Sequence, residues 1–191
     1  MNRRTTIKSL LAFGFLGASG FSIFKWADIN KAPDTKFLLS KKGLIADLAE
    51  TIIPVTDTPG AKDAKVEDYI ITMMQKCTDI KNQNLFIDGL ADVDSYSNKH
   101  YDKSFQACKP TEKTEILKHF EKKAHSFNSL IAKVEGRYLG DPFFTQLKNL
   151  TVTGYCTSQV GATKGLVYDY IPGMYNGSMP LAPHQKSWAT K

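Results

Sequence analysis

Between Val66 and Cys77 the residues Val66, Tyr69, Ile70, Met73, Met74 and Cys77 recur at i, i+3, i+4, i+7, i+8 and i+11. That spacing lines up on one side only when the backbone is an α-helix, so the segment predicts a helix with a core-facing stripe. A stripe of this kind needs other apolar faces to cover it, and the chain supplies them with the same period. Leu44, Ile45, Leu48, Ala49, Ile52 and Ile53 form one face. Pro54 ends it, because proline lacks an N–H and clashes with the preceding turn. The loop from Pro54 to Gly60 is dense in turn formers.

Phe86, Leu90 and Val93 form a third face, expected to end in the polar stretch Asp94 to Lys103. Pro110 with Glu112 suits a helix start, with proline in the first position and an acid near the positive end. From there Ile116, Phe120, Ala124, Phe127, Ile131 and Val134 continue a helical face. Asp141-Pro142 marks another start with Asp141 as N-cap, followed by Phe143, Phe144, Leu147 and Leu150. Ser158 is placed to cap a short last helix through Leu166. No internal repeat and no alternating strand run of useful length stands out. The expectation is an all-α fold: one compact helical domain over residues 40–170, preceded by a linker at 26–39 and followed by an extended tail at 171–191.

The first 25 residues read as an address. Arg3 and Arg4 precede an uncharged run from Ser9 to Phe24, diluted by Gly14, Gly17 and Gly20. A basic start before a short apolar stretch is the form of an export signal, and the arginine pair resembles twin-arginine signals, which carry folded cargo. The alternative is an uncleaved anchor, although this run falls short of the ~20 apolar residues that span a bilayer. Ala18-Ser19-Gly20 is the nearest approach to a cleavage site. An exported or periplasmic location is expected, with membrane association if the signal stays attached.

Charge narrows the function classes. The net charge is +6, but Arg3, Arg4, Lys8 and Lys25 supply four of those charges within the leader. The remainder mixes acids and bases without a basic stripe interleaved with aromatics, so nucleic acid is not an expected partner. No two glycines are separated by a single residue, so the G-x-G-x-x-G turn that lets backbone approach a pyrophosphate is absent and no dinucleotide cofactor is expected in this chain. Cys77, Cys108 and Cys156 match no zinc, haem or iron–sulfur spacing. An oxidising compartment permits one bridge, with Cys77 and Cys108 the candidate pair.

Other candidates are weaker on chemistry. His119 and His125 are six apart and lie on different sides of a helix, and His125 follows Glu121 by four, the spacing of an ion pair. Asp88 and Asp92 share a helix face and have the spacing of an acid/base pair, but also that of a solvated surface. Cys156 precedes the helix start at Ser158, which could activate a thiol, yet no base can be assigned to it. Met73 and Met74 read as core packing. The tail holds Tyr168, Tyr170, Pro172, Gly173, Tyr175 and Gly177, with Trp188 close behind. Such a segment cannot build its own core; it lies either across this domain or across a partner, where Tyr and Trp are enriched.

The run from Asp47 through Glu50, Pro54, Thr56-Asp57-Thr58-Pro59-Gly60 and Ala61 to Lys62 resembles the N-terminal hallmark of gluconate 2-dehydrogenase subunit 3 proteins. Phe143-Phe144, the run Leu150 to Ser158, Gly161-Ala162 and Pro172 to Gly177 agree in order and spacing. Roughly residues 80–135 resemble the family in helical pattern only. Ser178 stands where many relatives carry cysteine, so a disulfide made by that cysteine is absent. The resemblance implies a large FAD-bearing partner of the glucose–methanol–choline type that oxidises a sugar or sugar acid, with a cytochrome c subunit in some complexes. It implies a small subunit without catalytic residues that assists maturation and export of its partner through the twin-arginine machinery. Tyr155, Thr157, Ser158, Tyr170, Pro172, Gly173, Tyr175 and Gly177 are then expected to shape or form the protein interface. Two other classes stand beside it: an exported hydrolase or thiol enzyme using Cys156 or the Asp88–Asp92 pair, and a membrane-anchored structural protein.

Overall fold

The structure, a computed structural model, describes residues 31–125, 140–171, 173, 177, 178, 180, 183 and 185–189. Arg3, Arg4, the leader, Phe127, Ile131, Val134, Pro172 and Tyr175 lie outside the described residues. Among the described residues six α-helices carry the fold: α1 (Thr35–Ser40), α2 (Lys42–Ile52), α3 (Val66–Lys76), α4 (Ile80–Tyr101), α5 (Pro110–His125) and α6 (Phe143–Thr157). A 3₁₀ turn at Phe105–Ala107 and a wide π-helical turn at Gly161–Gly165 complete the order. Among the described residues there is no strand, only a single parallel bridge between Val167 and Trp188. The all-α expectation stands.

Helix α6 is the centre of the bundle, packed against α2, α3, α4, α5 and the wide turn. Its Phe143, Phe144, Leu147 and Tyr155 enter one core with Ile45 and Leu48 of α2, Val66 and Ile70 of α3, Phe86 and Leu90 of α4, and Ile116 of α5. Each of these larger side chains contributes ~1.5–3 kcal/mol by leaving water, which is what holds short helices together. Helix ends follow local chemistry. Pro110 opens α5, and the Glu112 carboxylate turns back to accept the Lys109 N–H at 2.7 Å. The Asp34 side chain caps α1 by accepting the Phe37 N–H at 2.9 Å.

Several expectations need correction. The 26–39 linker is not all linker: α1 begins at Thr35, and Leu38 is buried in the core. Helix α4 ends at Tyr101, inside the polar stretch Asp94 to Lys103 where its end was expected. On the inner side of these last turns buried Ser97 returns its hydroxyl to the Val93 carbonyl at 2.8 Å and Tyr96 packs against the core. Asp141 does not cap α6; its N–H is held by the Asn82 side chain at 2.8 Å, and Pro142 occupies the cap. Cys77 lies just past α3 and is exposed, while Ile71 takes a place in the core.

Candidate functional site at the C-terminal end of helix α6

The segment between α2 and α3 is shaped by one carboxylate. Glu50, in the last turns of α2, accepts the Val55 N–H at 3.0 Å and the Lys62 N–H at 2.9 Å, one on each oxygen. The two ends of the Pro54–Gly60 loop are thereby clamped to the helix that precedes it. The Ala61 N–H reaching the Ile53 carbonyl at 3.0 Å closes the same neck. One turn earlier, Asp47 is paired with both Lys62 and Lys113, tying α2, the loop and α5 together. Burial pushes the Asp47 carboxyl upward, but the hydrogen bonds and charges of Lys113 and Lys62 together outweigh it and hold the group below its ordinary value.

Tyr155 joins this loop to the far half of the chain. It projects from the last turn of α6, is buried, and donates its hydroxyl to the Pro59 carbonyl at 2.7 Å. The wide turn Gly161–Gly165 wraps the same ring so closely that a Cβ at Gly165 would strike the hydroxyl. Ser158 sets that turn: its hydroxyl donates to the Tyr155 carbonyl at 2.7 Å and accepts the Gly161 N–H at 2.9 Å. Tyr155 and Ser158 thus shape the surface from beneath, whereas Thr157 is exposed at the helix end, bonded to the Thr153 carbonyl.

Beyond half-buried Leu166 and Val167 the chain emerges into solvent with its apolar side chains uncovered. Tyr170 is 84% and Ile171 76% exposed, and Tyr168 is also exposed. Val55, at the mouth of the clamped loop, is 57% exposed. The tail does not simply run away from the domain. The Val167 N–H donates to the Ser187 carbonyl at 2.9 Å, and the Ala189 N–H to the Val167 carbonyl at 2.8 Å, so Trp188 returns to the base of the segment. Gly173 and Gly177 are exposed, and Gly173 has open space around its Cα.

The remaining candidates fall elsewhere. Cys77 and Cys108 are not bridged: Cys77 is an exposed free thiol, and Cys108 is buried with its thiol directed to the Ser104 carbonyl at 3.4 Å. Cys156 is free and half-buried, packed against the edge of the core. Asp88 and Asp92 are exposed on α4, and Asp92 lies 3.7 Å from Lys123 of α5. His119 stacks on Tyr96 at 4.3 Å, with His100 on the opposite face at 3.9 Å, a sandwich that sequence spacing did not suggest. Met74 is core, as expected. Among the described residues no group of three or more metal-ligating side chains converges, and no helix is long and apolar enough to cross a membrane.

A family model described as gluconate 2-dehydrogenase subunit 3 matches residues 40–173. That span runs from the end of α1 to just beyond the exposed Tyr170 and Ile171, so it contains both the Glu50-clamped loop and the Tyr155 junction. No curated protein and no solved structure matches the chain.

Proposed function

Because this chain belongs to the gluconate 2-dehydrogenase subunit 3 family, we propose that it is the non-catalytic small subunit of an exported flavin-dependent sugar or sugar-acid dehydrogenase. Its larger partner carries the FAD and performs the oxidation. This chain stabilises the partner, assists its maturation, and brings it through the twin-arginine machinery on the signal at Arg3-Arg4. Such a route suits an enzyme that must fold around its cofactor before export. In complexes that include a cytochrome c subunit, electrons leave the flavin through that third component, not through this chain.

The observation that carries the reading is the family match combined with the uncovered Tyr170 and Ile171 inside the matched span. Aromatic and aliphatic side chains held out on a fixed base are what a protein interface uses at its centre. The test is to express the tagged chain with its native leader, together with the large subunit, and to purify it from the exported fraction. A larger protein with a flavin spectrum and sugar-dependent dye reduction is expected to come with it. A lone colourless chain under those conditions would sink the reading.

A further inference from the structure

We propose that Asn84 moors the stem of the leader to the folded domain and so sets the inner limit of the leader's proteolytic removal, upstream of Lys31. The proposal rests on the reading of the first residues as an export signal.

The mooring is built from a buried amide. Asn84 lies one turn into α4 and is 1% exposed, a depth that carboxamide side chains seldom reach. Its Nδ2 donates to the Lys31 carbonyl at 2.7 Å, across 53 residues of sequence. A buried amide is costly unless it is bonded, so the chain ahead of α1 supplies an acceptor that Asn84 needs.

From Lys31 the chain runs straight into docked structure. Pro33 is half-buried and its carbonyl accepts the Thr35 N–H at 3.0 Å. Asp34 caps α1, and Leu38 is buried in the core. Lys31 to Pro33 is thus a short strap between two fixed points, the Asn84 amide and the Asp34 cap.

That fixation matters for proteolysis. A protease takes its substrate as an extended strand and bonds the backbone around the scissile bond, so a strap held at both ends is cut only after it opens locally. The bond after Lys31 is the informative one. The Lys31 side chain is exposed and of the kind that trypsin reads, whereas its carbonyl is engaged by Asn84. The small-residue site Ala18-Ser19-Gly20 lies further upstream. Eleven residues separate Gly20 from Lys31, a span of at most ~36–40 Å in extended chain. Removal of the leader there leaves the mooring undisturbed.

The experiment has two readouts. In the first, purified full chain is digested with trypsin, and cleavage after Lys31 is followed by mass spectrometry beside a synthetic peptide of residues 26–37. Wild type is expected to be cut at least ~100-fold more slowly than the peptide; an equal rate overturns the mooring. Asn84→Ala removes the donor and is expected to speed that cut by ~10-fold or more. Val93→Ala is the control, because it loosens the same helix at a fully buried apolar position and leaves Asn84 in place. Its cut after Lys31 is expected to stay within ~3-fold of wild type. Equal acceleration in both variants would reduce the effect to general stability and overturn the mooring. Exchange of the Asn84 side-chain amide protons, read by NMR in wild type, needs no folded variant. Slow exchange is expected, and exchange as fast as at exposed Asn98 overturns the bond.

The second readout is the N-terminus of the chain recovered from the exported fraction. Wild type is expected to begin between Phe21 and Lys31, and Asn84→Ala to show additional ends downstream of Lys31. A wild-type end beyond Lys31 overturns the limit. A chain that keeps Met1 overturns leader removal and with it the processing role, while the subunit reading is decided separately by its flavin partner.

Discussion

Replacing Gly89 by alanine sets two effects of known size against each other. Gly89 lies in the interior of α4, where alanine is intrinsically better by ~0.8–1 kcal/mol. A Cβ at this position would be forced into the Phe143 ring and its Cβ, well inside any permitted approach. The ring cannot easily step aside. Phe86 packs against it at 5.3 Å and Phe120 at 6.0 Å between centroids, and Phe143 is the first residue of α6. Overpacking of a filled core costs about 1–3 kcal/mol and occasionally more. A shift of more than an ångström at the start of the central helix belongs at the upper end of that range. Gly89→Ala is therefore expected to be net destabilising by about 1–2 kcal/mol, lowering Tm by roughly 2–8 °C in a domain of this size. Thermal melts followed by circular dichroism read this directly. Phe143→Leu in the Gly89→Ala background should recover part of the loss, because the smaller side chain vacates the space. A Gly89→Ala protein that melts at or above the wild-type temperature would refute the reasoning, since propensity alone would then decide.

Glu50→Ala removes both acceptors that clamp the Pro54–Gly60 loop; a loss of about 1.5–3 kcal/mol is expected, together with faster tryptic cleavage at Lys62, and unchanged proteolysis would count against the clamp. The Asp47 carboxyl is held below its unfolded value of 3.8, so its contribution to stability is present above that pH and disappears as pH falls through the lower folded value. Asp47→Asn should lower Tm at neutral pH and flatten the acid side of the Tm–pH curve; an acid limb as steep as wild type would show that the lysine pair does not act on Asp47. With a thiol-reactive dye, Cys77 should react at once and Cys108 only on unfolding, because Cys108 is buried and burial together with nearby Glu112 pushes its thiol upward. Two thiols titrating only after reduction would restore the Cys77–Cys108 bridge.

The helical period carried most of the fold in plain view. Stripes such as Val66–Ile70–Met74 repeat because each helix can bury only one side, and that constraint is written residue by residue. What stayed hidden was polar and long-range. The packing of the last turns of α4 rests on buried Ser97 bonding its own helix and on Tyr96 meeting His119 of α5. Neither residue announces a core position by hydrophobicity. The residues of this region stood out in the sequence, but their arrangement did not. Tyr155 and Tyr170 read alike as interface tyrosines, yet one is buried beneath the surface and the other stands 84% exposed upon it. The difference lies in the Pro59 carbonyl, nearly a hundred residues away in sequence, and no local pattern encodes it. Glu50 likewise looks like any helical glutamate until the backbone N–H groups of Val55 and Lys62 are seen to converge on it.

The pairing of Val167 with Ser187 and Ala189 has a consequence for timing. Drawing the two ends of this segment together costs loop-closure entropy, roughly 3 kcal/mol for about twenty residues. The domain meets that cost when it folds. In the proposed complex, if the tail contacts the large subunit, a tail left open would meet that cost on every encounter and binding would be weaker for the same contacts. Severing the bridge should therefore show itself as a less favourable entropy of association, with the enthalpy little changed.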